Sequence, residues 1–170
     1  QVEAMTVGHR LAVMSKGAVM QSGSARGVYE DPRSAFVASF LGSPAINRVE
    51  ATVDGGVATL AEGLALPVPA DLEGDRVILA VRPEHVAVRT SDEPVGGKSL
   101  SFLAKITAAE PLGAETVLHA HHVDREDFAI RARVPGFFDA ELCAEVRVVI
   151  PRDKLLWFDA RSGERLGPLA

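Results

Sequence analysis

Asp31-Pro32-Arg33-Ser34-Ala35-Phe36-Val37-Ala38-Ser39-Phe40-Leu41-Gly42-Ser43-Pro44 is the joint of this chain. Asp31 predicts a helix cap, because its carboxylate accepts from the free N–H groups of a first turn. Pro32 then falls at the first helical position, where a missing N–H costs nothing. Phe36, Val37, Phe40 and Leu41 recur at one and four residues and predict one apolar face. Gly42 supplies a left-handed stop, and Pro44 prevents the helix from resuming. The sequence ahead of this helix mixes helix and strand patterns; the sequence after it reads almost wholly as strand. That change marks a domain boundary, with residues 1–44 on one side and 45–170 on the other.

Working outward, composition bounds the answer. The chain has 170 residues, 47% apolar and 24% charged, which suits a globular domain plus a fragment. Lys and Arg number 18 against 23 Asp and Glu, a net charge of -5. That balance disfavours nucleic acid, whose binders displace counterions with positive charge. Aromatics are 5%, too few for a base-stacking groove, and Phe137-Phe138 is the one aromatic pair outside the helix and the final strand. No run of 18 apolar residues occurs, and no charged-then-apolar leader opens the sequence. Cys143 is alone, so no internal disulfide forms, in keeping with a reducing cytosol. The first residue is Gln and the pattern opens inside a helix, so a piece of a longer protein is expected.

Ahead of the joint, Gln1 to Thr6 reads as a helix end with Gly8 as its stop. Leu11–Met14 and Ala18–Gln21 flank Ser15-Lys16-Gly17, a hairpin signal. Ser24 predicts the cap of a short helix through Tyr29. Two strands and two short helices in this length do not close a core of their own. Beyond the joint, Arg48–Val53 alternates at period two and meets Asp54-Gly55-Gly56, a turn signal, before Val57–Leu60 returns. Leu64–Pro69 is extended, and Arg76–Val81 is a strong strand stopped by Arg82-Pro83. Val86–Val88, Leu100–Ala108, Thr116–Val123, Phe128–Val134, Val146–Ile150 and Leu155–Phe158 follow as strands, with Ser162-Gly163 as a turn. Residues 92–98 predict a mobile loop, and 139–145 a single helical turn. Short strands at this spacing predict a small barrel, closed or nearly so.

Four runs ahead of Ala45 carry a resemblance: Gln1–Thr6, Val13–Ser24, Val28–Pro32 and Phe36–Pro44. They are similar to the end of the nucleotide-binding domain in ATP-binding subunits of ABC importers of the maltose and sugar type. Arg82-Pro83-Glu84-His85 and Leu112-Gly113-Ala114-Glu115-Thr116 resemble motifs of the same subunits' regulatory domain, as does the closing Trp157-Phe158-Asp159 with Gly163. Two departures are visible: the family usually has Pro where Ala25 stands and Glu where Gly27 stands. Glu at that position would complete a capping box with Ser24, which leaves the short helix around Val28 in question.

The resemblance implies a mainly β fold, an oligonucleotide-binding-type barrel preceded by a small α/β remnant of the ATPase domain. It implies that the parent hydrolyses ATP with Mg to drive import of sugars or related solutes, on the cytoplasmic face of the membrane. Implied partners are a second copy, membrane permease subunits and a cytosolic regulator. The resemblance begins past the family's switch histidine, and the phosphate-binding loop and ABC signature are absent. No cofactor and no catalysis are therefore expected of this chain itself. Phe36, Val37, Phe40 and Leu41 are expected to lose part of their covering, which predicts self-association.

Other chemistries are weaker. His119 and His121 share a strand face and offer two zinc ligands, but a site needs a third, from Asp124, Glu126 or Asp127. Glu84-His85 offers an acid/base pair with no nucleophile near it. Glu115 reads as a catalytic carboxylate or, more simply, as a turn residue after Gly113. Cys143 sits among Ala and Glu, which raises a thiol pKa and suits a buried small side chain. Two alternative readings of the whole are a small-ligand barrel, for an oxyanion or a sugar, and a zinc-binding β-protein.

Overall fold

The computed structural model describes residues 5–6, 8–69, 72, 74–89, 98–138 and 144–167. The loop expected over 92–98, the helical turn expected over 139–145 and Cys143 lie wholly or mostly outside them. Strands β1 (Leu11–Ser15) and β2 (Ala18–Gly23) pair as an antiparallel hairpin. Lys16 and Gly17 both have positive φ, +48° and +82°, the backbone a two-residue turn needs to match strand twist. Helix α1 (Ala25–Glu30) follows, with Ser24 Oγ accepting from the Gly27 N–H at 3.1 Å. The hydroxyl cap suffices without a Glu at Gly27.

Helix α2 (Ala35–Phe40) is shorter than its sequence pattern. Its cap is Ser34, whose Oγ accepts from Val37 N–H, and not Asp31. Asp31 instead closes α1, its N–H donating to Gly27 C=O at 2.9 Å. Pro32 is buried in the connection, which Gln21 holds on both sides: its Nε2 donates to Asp31 C=O and its Oε1 accepts from Arg33 N–H. Gly42, at φ +112°, turns the chain after α2.

The β-rich part begins with β3 (Asn47–Asp54), β4 (Val57–Ala61), β5 (Leu64–Pro67), β6 (Arg76–Val81) and β7 (Ala87–Arg89). It continues with β8 (Ser99–Pro111), β9 (Glu115–His122), β10 (Arg125–Pro135), β11 (Glu145–Pro151), β12 (Leu156–Asp159) and β13 (Arg165–Leu166). They form two sheets of antiparallel neighbours, in the orders β10-β9-β8-β11-β7 and β13-β12-β6-β3-β4-β5. Inward side chains from both sheets make one core, including Val49 and Ala51 of β3, Phe102 and Ile106 of β8, and Ile130 of β10.

Two side chains tie the sheets together. Asn47, buried on β3, donates to Arg131 C=O and accepts from Arg131 N–H, at 2.8 and 2.7 Å. It gives the edge strand β10 the ladder bonds that a neighbouring strand would otherwise supply. Arg125, at the start of β10, reaches Leu60 C=O on β4.

β6 explains why the joint helix sits where it does. Val77, Leu79 and Val81 face the main core, and the alternate residues Ile78 and Ala80 are buried too. An antiparallel strand buried on both faces requires a second cover. That cover is Ala35 and Ala38 of α2, with Ile46 and Phe158 completing a second cluster. Val37 and Leu41 turn the other way, into a third cluster with Val13 and Val28. The helix therefore joins two small cores. Phe36 and Phe40, read from the sequence as part of one apolar face, remain 41% and 43% exposed and stack at 6.0 Å. Small alanines, which a periodicity of bulky residues overlooks, make the contact with the sheet.

Phe158→Ala is expected to cost about 3–5 kcal/mol of unfolding free energy, as for a large side chain deleted from a filled core. Leu112→Ala, at an exposed tip, should stay within about 0.5 kcal/mol. Urea unfolding of the two variants beside the parent checks both.

Candidate functional site

Arg82 directly follows β6 and is 3% exposed, yet it carries a full charge. Its guanidinium donates to the carbonyls of Ala38 and Leu41, at the end of α2, and to that of Tyr29, at the end of α1. These carbonyls lack helical partners, and a fork of fixed donors serves several at once. The guanidinium also lies 3.9 Å from the centre of the Tyr29 ring. A side chain at Gly42 would meet Arg82 Nη1 at 3.2 Å, so the bare backbone there makes room for the clamp. Burial lowers the Arg82 pKa, and neighbouring Tyr29 and Glu84 oppose the shift.

Pro83, Glu84 and His85 form a single 3₁₀ turn after Arg82. Pro83 is buried, and Glu84 accepts from the Tyr29 hydroxyl at 2.5 Å. Burial and that hydrogen bond push the Tyr29 pKa up to about 12. His85 lines an open groove of about 270 Å³ with Arg26, Tyr29, Glu30 and Lys154. The Glu84 carboxylate is engaged by the Tyr29 hydroxyl.

The second motif arrives from the β8–β9 hairpin. Leu112 is exposed at its tip, and Gly113, at φ +91°, makes the turn. Glu115 forms a two-pronged ion pair with Arg133 on β10, at 2.7–2.9 Å. The carboxylate is thus engaged by a partner strand, a contact that neither sequence reading named. Arg133 feels Glu84 and Tyr29 as well as Glu115, and its pKa is raised chiefly by the Glu115 bond. The two motifs, about 30 residues apart in sequence, therefore converge on one guanidinium. Arg133 escaped the sequence analysis; alternation within β10 places it on the sheet's outer face, but nothing local in the sequence names its partner.

The histidines of β9 separate. His119 and His121 share a face as expected. His119 Nε2 lies 3.1 Å from Glu110, and His121 Nδ1 lies 2.9 Å from its neighbour's carbonyl. Asp127 is held by Arg125. Among the described residues no group of three or more His, Cys, Asp or Glu is placed to hold a metal ion. The tripeptide Gly97-Lys98-Ser99 is present in the sequence, but Asp92 stands where a phosphate-binding loop has its first glycine. Ser99 also opens strand β8 instead of a helix.

Residues 42–86 match the MalK OB fold domain, and residues 79–158 match the TOBE domain. Between residues 42 and 158 the chain belongs to these two domain families. It is 37% identical over 166 residues to the sn-glycerol-3-phosphate import ATP-binding protein UgpC of a Ruegeria species, covering 98% of this chain and 44% of that protein. To the protein of the same name in Salmonella typhimurium it is 41% identical, covering 98% and 46%. To the sulfoquinovosyl glycerol transport ATP-binding protein SmoE of Agrobacterium fabrum it is 34% identical, covering 95% and 45%. The chain thus spans less than half the length of these relatives. A solved structure of the cytoplasmic molybdate-binding protein ModG superposes with a TM-score of 0.52 at 14% identity, over 65% of this chain and 94% of that one. That likeness concerns the fold. The small-ligand barrel and the zinc protein are not favoured as readings of this chain.

Tyr29 is the only tyrosine, so its ionisation is read directly by ultraviolet absorbance. The unfolded chain loses the phenolic proton near pH 10, and the folded chain keeps it to about 12. Stability is therefore full below pH 10 and falls as pH rises between these values. Glu84→Ala should move the folded midpoint down toward 10. A wild-type midpoint near 10 would contradict the Tyr29–Glu84 hydrogen bond.

Arg82→Ala should destabilise by about 2–4 kcal/mol, because it strands buried carbonyls. Arg82→Lys should recover less than half of that, since an ammonium cannot reach three carbonyls in two directions. Chemical denaturation at pH 7 measures both.

Proposed function

We propose that this chain is the regulatory end of an ABC importer's ATP-binding subunit, one that takes up sugars or related solutes. Residues 1–44 are the last elements of the nucleotide domain and the joint, and residues 45–170 are the regulatory barrel. In this reading the parent binds ATP and Mg, works as a pair on the cytoplasmic face of the membrane, and docks on permease subunits. A cytosolic regulator is a further partner open to the barrel. The work of the chain itself is attachment, without catalysis.

The observation that carries this reading is the Arg82 clamp. The first residue of the barrel motif holds both helices of the preceding segment, through Tyr29, Ala38 and Leu41. A domain fastened this firmly moves with the segment it grips. If two such barrels stay in contact while ATPase halves part after hydrolysis, each half remains at high effective concentration for the next cycle. Phe36 and Phe40 on the joint, with Met14 and Val19 on the hairpin, are apolar side chains left exposed by the described residues. They support self-association of the chain, whereas Val37 and Leu41 have covering of their own.

Affinity purification of the native gene product from membranes of its source should recover permease subunits, and the preparation should hydrolyse ATP. Recovery of neither contradicts the proposal. For the chain alone, light scattering should show a dimer at high concentration. Phe36→Ser with Phe40→Ser should shift it toward monomer; a wild-type chain that stays monomeric would remove the support from this surface.

A further inference from the structure

His122 closes β9 and is 4% exposed, the one histidine of the described residues that is buried. Its ring packs in a three-ring cluster with Phe102 and Phe128, with centroids 5.4 and 5.8 Å away, and is stacked nearly parallel on Phe128. Its Nδ1 faces the Asp124 backbone N–H at 3.1 Å. An N–H donates, so Nδ1 carries a lone pair and the imidazole is neutral with its hydrogen on Nε2. The atom that would take an added proton is thus the one that holds the turn.

That turn carries Arg125 into the other sheet. Arg125 reaches Leu60 C=O on β4, lies 3.5 Å from Glu50 C=O on β3, and is steadied by the Asp127 carboxylate at 3.0 Å. We propose that His122 is an acid-released latch on this closure: neutral, it holds the β9–β10 turn that sends Arg125 across to β3 and β4; protonated, it frees that turn. Protonation sets two N–H groups against each other and places a charge in a buried site.

The charges facing the ring divide. Asp124 favours the proton, whereas Arg125 and His121 oppose it, and burial opposes it most. Lys105 on β8 stands opposite His121 in register, and Ala104 stands opposite His122. On β3, Glu50 lies toward Arg76 at 3.8 Å. The folded ring therefore ionises below its ordinary value. The unfolded chain takes its proton near pH 6.5, so stability is full above that pH and is lost as pH falls below it. The folding constant declines by up to about tenfold per pH unit until the folded ring also ionises.

Two measurements on the whole chain test this. Nitrogen-detected NMR of the histidine rings should show His122 as the Nε2–H tautomer at pH 7.5, with a midpoint below 6.5. Amide exchange, corrected for intrinsic rate, should lose protection at Asp124 and Arg125 several-fold, up to about eightfold, between pH 7 and 5.5. His122→Phe should abolish that pH dependence, while His121→Asn and His119→Asn should keep it. A ring that titrates at or above 6.5, or exchange at the turn that does not change with pH, overturns the latch. If His122→Phe does not fold, the wild-type NMR titration decides alone.

Discussion

A guanidinium buried at the end of a strand holds this molecule's two parts together. Arg82 sits in the interior only because it meets carbonyls from both helices and the face of an aromatic ring. Desolvating such a group is costly, and the partners offset the cost only if all are in place. The consequence is geometric. The helix ends cannot drift from the barrel without leaving a charge and several carbonyls unpaired. Tyr29 is doubly committed, with its carbonyl on Arg82 and its hydroxyl on Glu84. The motif around Arg82 is thus a fastening that spans the joint, and its residue types follow from that task.

Packing and polar closure divide the labour. β6 is covered on one face by the main core and on the other by α2, whose alanines allow close approach. Along β10, which would otherwise be a free edge, single side chains replace a missing strand neighbour. Asn47 provides paired bonds to Arg131, and Arg125 provides a reach across to β4. Such contacts have few atoms and strict direction, so they fix register more than they add stability. The Glu115–Arg133 pair, beside Glu84, extends the fastening from the joint to the hairpin tip.

Local patterns made most of the strands legible. Lys16-Gly17 and Gly55-Gly56 are turn residues whose backbones need positive φ, and the structure has it at all four. The run Val77-Ile78-Leu79-Ala80-Val81 was legible as a strand, and the structure adds that both its faces are buried. The joint was harder to read. Ser34, not Asp31, caps α2, because Asp31 and Pro32 are used to end the previous helix. Phe36 and Phe40 misled because bulk and spacing mark an apolar stripe without saying what it meets. The short strand Arg165–Leu166 was not foreseen, since two residues carry no period. Arg133 and Asn47 were invisible for a different reason: their partners are distant in sequence, and a side chain's task is set by what the fold brings opposite it.

Native-state hydrogen exchange at α2 tests the central claim most directly, because it asks whether the joint helix is part of the barrel's cooperative unit. The amides of Ala38, Ser39 and Phe40 should open with the same free energy and the same denaturant dependence as those of Val77–Val81 on β6. If α2 instead exchanges through a small local opening while β6 stays protected, Arg82 does not bind the two parts into one, and the account fails.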